Sequence, residues 1–159
     1  MPRTFEDKVK ALGELETLCR ALCAEGKRIV HCHGVFDLMH PGHVRHFEAA
    51  RAEGDVLIVA VTPDRFVNKG PGRPVFNERL RSESVAALGS VAFVAITESP
   101  SAEDVIRRLR PSVYVKGSDY ADIKNDLTGK IADERRAVDQ VGGRIHFTTE
   151  IAFSSSNLL

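Results

Sequence analysis

The chain has 159 residues, a length that suits one domain built on a single apolar core. Its 22 Lys and Arg balance its 22 Asp and Glu, so no basic field argues for nucleic acid as a partner. No apolar run approaches the ~20 residues of a membrane span. The three cysteines, Cys19, Cys23 and Cys32, form no disulfide framework, and the charged N-terminus is not a signal peptide; both point to a reducing cytoplasm.

From Thr4 to Ala24, Val9, Leu12, Leu15, Leu18 and Leu22 recur at helical spacing. They predict one amphipathic helix with Thr4 as N-cap and Gly26 as its stop. Cys19 and Cys23, four residues apart, read as part of its apolar stripe and not as a metal site. Arg28 to Phe36 mixes β-branched and aromatic residues and reads as a buried strand. Pro41 and Gly42 break that run, and Val44, Phe47 and Ala50 then mark a helix from His43 to Ala52, with proline well placed in its first turn.

Gly54 closes that helix. Val56 to Val61 is an unalternating apolar run, the pattern of a strand covered on both faces. Thr62 to Phe76 contains Pro63, Gly70, Pro71, Gly72 and Pro74 and reads as a loop. A helix from Asn77 to Leu88, a strand from Val91 to Thr97, a helix from Ala102 to Leu109 and a strand from Val113 to Lys116 follow. Beyond a polar loop come a helix from about Thr128 to Val141 and a strand from Arg144 to Thr148. The last residues, Ser154 to Leu159, read as a helix start with no helix after it, so residues 1–159 are expected to be one domain of a longer polypeptide.

Strands alternating with helices argue for an α/β fold: a doubly wound, mainly parallel, five-stranded Rossmann-like sheet with helices on both faces. Ligands bind such sheets outside the carboxyl ends of the strands, where strand order reverses. His40 and His43, Thr62 to Lys69, Lys116 to Tyr120, and Thr149 to Ser156 all follow strand ends. His40 and His43 lie where a strand gives way to a helix N-terminus, whose N–H groups and dipole suit a phosphate. Taken singly, such a histidine is usually a capping or solvated group.

Lys69 lies in the glycine-rich loop, free to close over a substrate or to remain solvated. Lys116 ends a buried strand, where an unpaired ammonium is too costly, so it meets an anion: a protein carboxylate or a substrate. Asp119 binds substrate hydroxyls or caps its loop. Ser154, Ser155 and Ser156 offer hydroxyls as an N-cap or for a phosphate. Asp37 is expected to orient the motif by accepting backbone N–H groups. His31, His33 and His46 complete a histidine cluster but lack carboxylate or cysteine partners at zinc-ligand spacing. Neither a Gly-x-Gly-x-x-Gly after a strand nor a Walker A sequence is present, which removes the main support for dehydrogenase and P-loop readings.

Gly34-Val-Phe-Asp37 followed by His40-Pro-Gly-His43 resembles the nucleotidyltransferases related to cytidylyltransferases, which share a His-x-Gly-His motif. The resemblance implies nucleotidyl transfer with release of pyrophosphate. It makes His40, His43, Lys69 and Lys116 the catalytic group. Gly34, Val35, Phe36, Asp37, Gly42, Arg81 and Ser154 to Ser156 would bind nucleotide; Thr62, Asp64, Arg73, Gly117 and Asp119 would bind substrate. Arg81 would face the nucleotide, and Arg79 would be a surface residue. Mg²⁺ would be carried by the triphosphate and not by protein side chains alone.

With Lys69-Gly-Pro-Gly-Arg-Pro-Val75, Val115-Lys-Gly-Ser-Asp-Tyr120 and Ser154-Ser-Ser-Asn157, the chain looks most like the heptose 1-phosphate adenylyltransferase domain, often fused to a ribokinase-like sugar kinase. That likeness implies ATP as nucleotide donor, a sugar 1-phosphate as acceptor, and a homodimer or a fused kinase as partner. Departures are visible. Gly117-Ser118-Asp119 stands where the heptose enzymes usually have Gly-Gly-Asp. Glycerol 3-phosphate cytidylyltransferases carry Arg-Thr-Glu-Gly where this chain has Thr149-Glu-Ile-Ala152, which weakens a CTP reading. Coenzyme A and NAD pathway adenylyltransferases place an arginine where Leu159 stands. The competing readings are a CTP-dependent enzyme acting on a polyol phosphate, a silent nucleotide sensor, and an interaction module that docks through its N-terminal helix.

Overall fold

The computed structural model describes residues 4–117 and 129–149. The unalternating apolar run Val56–Val61 forms β2, with the bounds its sequence predicts, and the β-branched stretch before the histidine motif forms β1 (Ile29–Gly34). β3 (Phe93–Ile96), β4 (Val113–Lys116) and β5 (Arg144–Phe147) complete a five-stranded sheet of order β3-β2-β1-β4-β5. Every pairing is parallel. Parallel neighbours require crossover helices, and these cover both faces.

α3 (Pro41–Arg51) and α4 (Glu78–Ala86) bury Phe47, Ala50, Val85 and Ala86 against Val30, Cys32, Val59, Val61 and Val115 on one face. The other face meets α2 (Leu12–Ala24), α5 (Glu103–Leu109) and α6 (Lys130–Gln140). There Leu12, Leu15, Val105 and Leu109 cover Ile29, Ile58 and Ala60, while Ala137 and Val138 cover Tyr114. Side chains alternate along a strand, so on β1 the apolar Val30 and Cys32 look toward α3. His31 and His33 take the opposite face with Ile29. The chain runs outward from β1 to β3 and then crosses back to β4, so strand order reverses between β1 and β4.

The N-terminal prediction needs correction. The expected single helix is two: α1 (Phe5–Lys8), then an extended link, then α2. Val9 forms a parallel bridge with Val94, and Lys10 N–H donates to the Val94 carbonyl at 2.9 Å. β3 is an edge strand with open backbone groups, and covering that edge outweighs continuing the helix. Thr4 does lead the first turn, its N–H and hydroxyl both donating to Asp7 Oδ2 at 3.2 Å. Gly26, at φ +80°, ends α2 in the left-handed conformation that the position requires. Cys19 is buried in the stripe as predicted, but Cys23 is exposed. Among the described residues, no helix is long and apolar enough to cross a membrane.

Candidate active site

The site begins with how the histidine motif caps α3. Pro41 takes the first helical position, where a missing N–H costs nothing, and His40 is the N-cap. His40 Nδ1 accepts from Gly42 N–H at 3.1 Å, and His43 Nδ1 accepts from His40 N–H at 3.3 Å. The rings lie 3.9 Å apart, centroid to centroid. A ring whose Nδ1 accepts carries its proton on Nε2, so each imidazole keeps an Nε2–H donor besides its bond to the helix cap. This revises the expectation for Gly42. Its N–H is not left for a phosphate but is donated to His40, and the donors at this terminus are imidazole N–H groups instead. Burial, with the fields of His40, His46 and Lys69, pushes the His43 pKa down to about 4. His43 is therefore a neutral donor at pH 7.

Gly34 and Phe36 hold this pair in place. Phe36 sits at φ +51°, an uncommon conformation for a bulky residue. Its ring folds back over Gly34 and meets His43 edge-on at 5.8 Å and Phe47 at 5.0 Å. A Cβ at Gly34 would lie 2.8 Å from Phe36 Cζ, so glycine is required here by the aromatic ring.

Asp37 accepts N–H groups, as expected, but not those of its own motif. Its carboxylate takes Val75 N–H at 2.7 Å, Phe76 N–H at 2.9 Å and Arg73 Nε at 2.8 Å. The glycine-rich loop is thereby tied to the motif, and Arg73 is bound within that buried ion pair. Lys69, between Asn68 and Gly70, has no hydrogen bond or ion pair among the described residues. Burial and the charges of Arg73 and Arg81 lower its pKa, against the pull of Asp37.

Burial alone would raise the Asp37 pKa, but the two N–H groups and Arg73 outweigh it and hold it below the ordinary 3.8. A carboxylate depressed in the folded state adds stability that is present above its unfolded pKa and lost as pH falls through the folded one. Asp37→Asn is expected to destabilise by about 1–3 kcal/mol near pH 7, since it unbalances buried donors. The gap from wild type should narrow as pH drops below about 4. Urea midpoints measured from pH 7 to pH 3 test this, and a gap constant over that range would refute it.

Arg81 was expected to face the nucleotide. Its side chain is fully buried instead, and its donors go to protein. Nε donates to the Phe76 carbonyl at 2.9 Å; Nη1 donates to the Val35 and Thr62 carbonyls at 2.7 and 2.9 Å. Nη2 meets Asp64 Oδ1 at 2.6 Å. One guanidinium thus joins the ends of β1 and β2 to the start of α4. The Val35 and Thr62 carbonyls and the Asp64 carboxylate are acceptors of that clamp. Arg79 is the surface residue predicted, paired with Glu83.

Of the two anions open to Lys116, the structure supplies the carboxylate: Nζ lies 3.2 Å from Glu134 Oε2, both side chains largely buried. Lys116 and the half-buried Gly117 close β4, on the far side of β1 from α4. His46 Nδ1 and Thr148 Oγ1 are 2.9 Å apart, and that hydroxyl also donates to the Lys116 carbonyl at 3.3 Å, linking α3 to the end of β5. Asp119 and Ser154 to Ser156 lie outside the described residues.

Sequence reasoning missed Glu134 and the buried role of Arg81. Both carried a signal: each is a charge inside an apolar helical stripe, Glu134 between Ile131 and Ala137 or Val138, and Arg81 one turn before Val85.

The sequence matches the model of the family described as Cytidylyltransferase-like over residues 31–158. Among curated relatives, the bifunctional protein HldE of Methylococcus capsulatus is 44% identical over 146 residues, covering 88% of this chain and 30% of that protein. HldE of Desulfatibacillum aliphaticivorans is 36% identical over 146 residues, covering 91% and 28%. The chain thus spans less than a third of these relatives' length. A lipopolysaccharide core biosynthesis protein from Thermoplasma volcanium shares the fold at TM-score 0.65 and 21% identity, over 80% of this chain and all of that one. A pantoate-beta-alanine ligase from Francisella tularensis does so at 0.61 and 12%, over 94% and 72%. The His40–His43 cap, the parallel sheet beneath it and the match over residues 31–158 agree, and the chain belongs to the cytidylyltransferase-like family of nucleotidyltransferases.

Proposed function

We propose that the chain transfers a nucleoside monophosphate from ATP to a sugar 1-phosphate of heptose type, releasing pyrophosphate. The observation that carries this reading is the imidazole pair at the start of α3, with Nδ1 of each ring occupied and Lys69 nearby. An oxygen of the acceptor phosphate attacks the α-phosphorus. The new P–O bond forms as the bond to the bridging oxygen of the β-phosphate breaks, and that electron pair leaves with pyrophosphate. Little covalent work falls to the protein, so positioning and charge stabilisation dominate. His40 and His43 donate Nε2–H to the phosphates as charge develops, and Lys69 offsets the charge of the leaving group. Mg²⁺ accompanies the triphosphate, a habit that suits its preference for phosphate oxygens and water.

ATP and a heptose phosphate are favoured by the identity with the HldE proteins. The short share of those bifunctional proteins that the chain covers supports a second proposal, that it works as one domain fused to, or partnered with, a sugar kinase. The test is pyrophosphate release with Mg²⁺, crossing ATP and CTP against sugar 1-phosphates and polyol phosphates. Release with ATP and a heptose 1-phosphate is expected; release only with CTP would overturn the base assignment, and silence across the panel the activity. In the active pairing, Lys69→Ala is expected to raise the KM for ATP about ten- to a hundredfold, the scale of one lost charge-assisted hydrogen bond. Its melting temperature should match wild type. An unchanged KM would return Lys69 to solvent.

A further inference from the structure

On the sheet face opposite α3, a run of polar side chains sits at the switch point. His33 and His31 stand one pleat apart on β1, their rings 6.1 Å apart. His31 stacks on Tyr114 at 5.5 Å, Lys116 Nζ lies 5.6 Å from the Tyr114 ring, and Glu134 holds Lys116 from α6. No ring nitrogen of His31 or His33 touches solvent; among the described residues those of His33 have no hydrogen-bond partner, whereas His31 interacts with the Ile58 backbone. An imidazole left as His33 is left is expensive, each nitrogen forfeiting a hydrogen bond it would make in water. Packing alone would be served better by apolar rings. The buried donor and acceptor of His33 stand at the reversal of strand order, where such a sheet takes a ligand.

We propose that His33, with Glu134 beside Lys116, binds the hydroxyl-bearing part of the acceptor and sets which acceptor is used. The proposal rests on the nucleotidyl-transfer reading above. In-line displacement puts attacking and leaving oxygens on opposite sides of the α-phosphorus, and this cluster and the α3 cap lie on opposite faces of β1. The chemistry selects hydroxyls over a second phosphate. Burial and the fields of His31, Lys116 and Lys130 keep His33 neutral, so it offers one donor and one acceptor. The charge of Lys116 is matched by Glu134. His31, behind His33 and edge-on to it, is a positioning residue.

His33→Phe keeps a ring and removes both nitrogens, whereas His33→Gln restores one donor and one acceptor. His33→Phe is expected to raise the KM for the sugar 1-phosphate at least tenfold, with the KM for ATP within twofold, and His33→Gln to recover part of the loss. An unchanged acceptor KM, or equal rises for both substrates, overturns the proposal. The wild-type protein supplies a second readout that needs neither turnover nor a folded variant. The His33 imidazole resonance is followed while glucose 1-phosphate, mannose 1-phosphate, glycerol 3-phosphate or inorganic phosphate is added. Saturable shifts with the hydroxyl-bearing phosphates and not with inorganic phosphate support the subsite even if pyrophosphate release fails. No shift, or the same shift with inorganic phosphate, refutes the subsite even if turnover is found.

Discussion

Replacing His43 with alanine is expected to lower pyrophosphate release by about 10²- to 10³-fold, the usual cost of one preorganised transition-state donor. The protein should stay folded. His43 contributes a single 3.3 Å bond to the cap of α3, and losing a cap costs about 1 kcal/mol. The donor is a neutral imidazole with a pKa near 4 and its proton on Nε2, so the effect belongs to hydrogen bonding and not to a cationic charge. The substitution should therefore act mainly on kcat and leave the KM for ATP within a few-fold, because the donor strengthens as charge develops. Steady-state kinetics beside circular dichroism decide it. Activity within about tenfold of wild type in a folded His43→Ala protein would remove the central claim of the mechanism.

The largest effect on stability is expected at Arg81. Arg81→Met keeps the aliphatic length but strands three backbone carbonyls and leaves Asp64 without its partner. Breaking a buried charge network from one side costs about 3–5 kcal/mol. At about 2–4 °C per kcal/mol for a chain of this size, the melting temperature should fall by roughly 6–20 °C. Arg81→Lys should recover only part of this, because one ammonium cannot span acceptors that the flat guanidinium reaches from three sides. A loss below about 1 kcal/mol for Arg81→Met would show that the clamp is replaceable. Activity should suffer too, since the clamp fixes the loop ends beside the proposed phosphate site.

The sheet was legible because burial on both faces leaves an unmistakable run, as at Val56–Val61 and Val113–Lys116. The imidazole pair was legible because proline and glycine mark a helix start so tightly. What stayed hidden were choices made by distant neighbours. Nothing local tells that Val9 leaves its helix to cover Val94, a residue far along the chain. Lys116 was expected to meet an anion of either protein or substrate and meets Glu134, whereas Arg81 was expected to face the nucleotide and is bound by protein acceptors; which outcome holds depends on the loop that folds over each. Asp37 was expected to serve its own motif and instead serves Val75 and Phe76, because the loop between Thr62 and Phe76 returns to the end of β1.

Strand order also sets a timetable for synthesis. β1 pairs with β2 along a ladder from Ile29–Val56 to Gly34–Val61, and β2 pairs with β3 next. Once Ile96 has left the ribosome, the emerged chain already holds the imidazole cap, the Arg81 clamp, the Asp37 tether and Lys69. β4 joins β1 later, through Val30–Val113 and His31–Tyr114, and brings Lys116 and then Glu134 with it. The cap, the clamp, the tether and Lys69 are thus all made before β4. His33 of the proposed acceptor subsite is made with them, but its neighbours Lys116 and Glu134 are grafted on across one strand seam, a division along which acceptor choice can drift while the phosphate chemistry stays fixed.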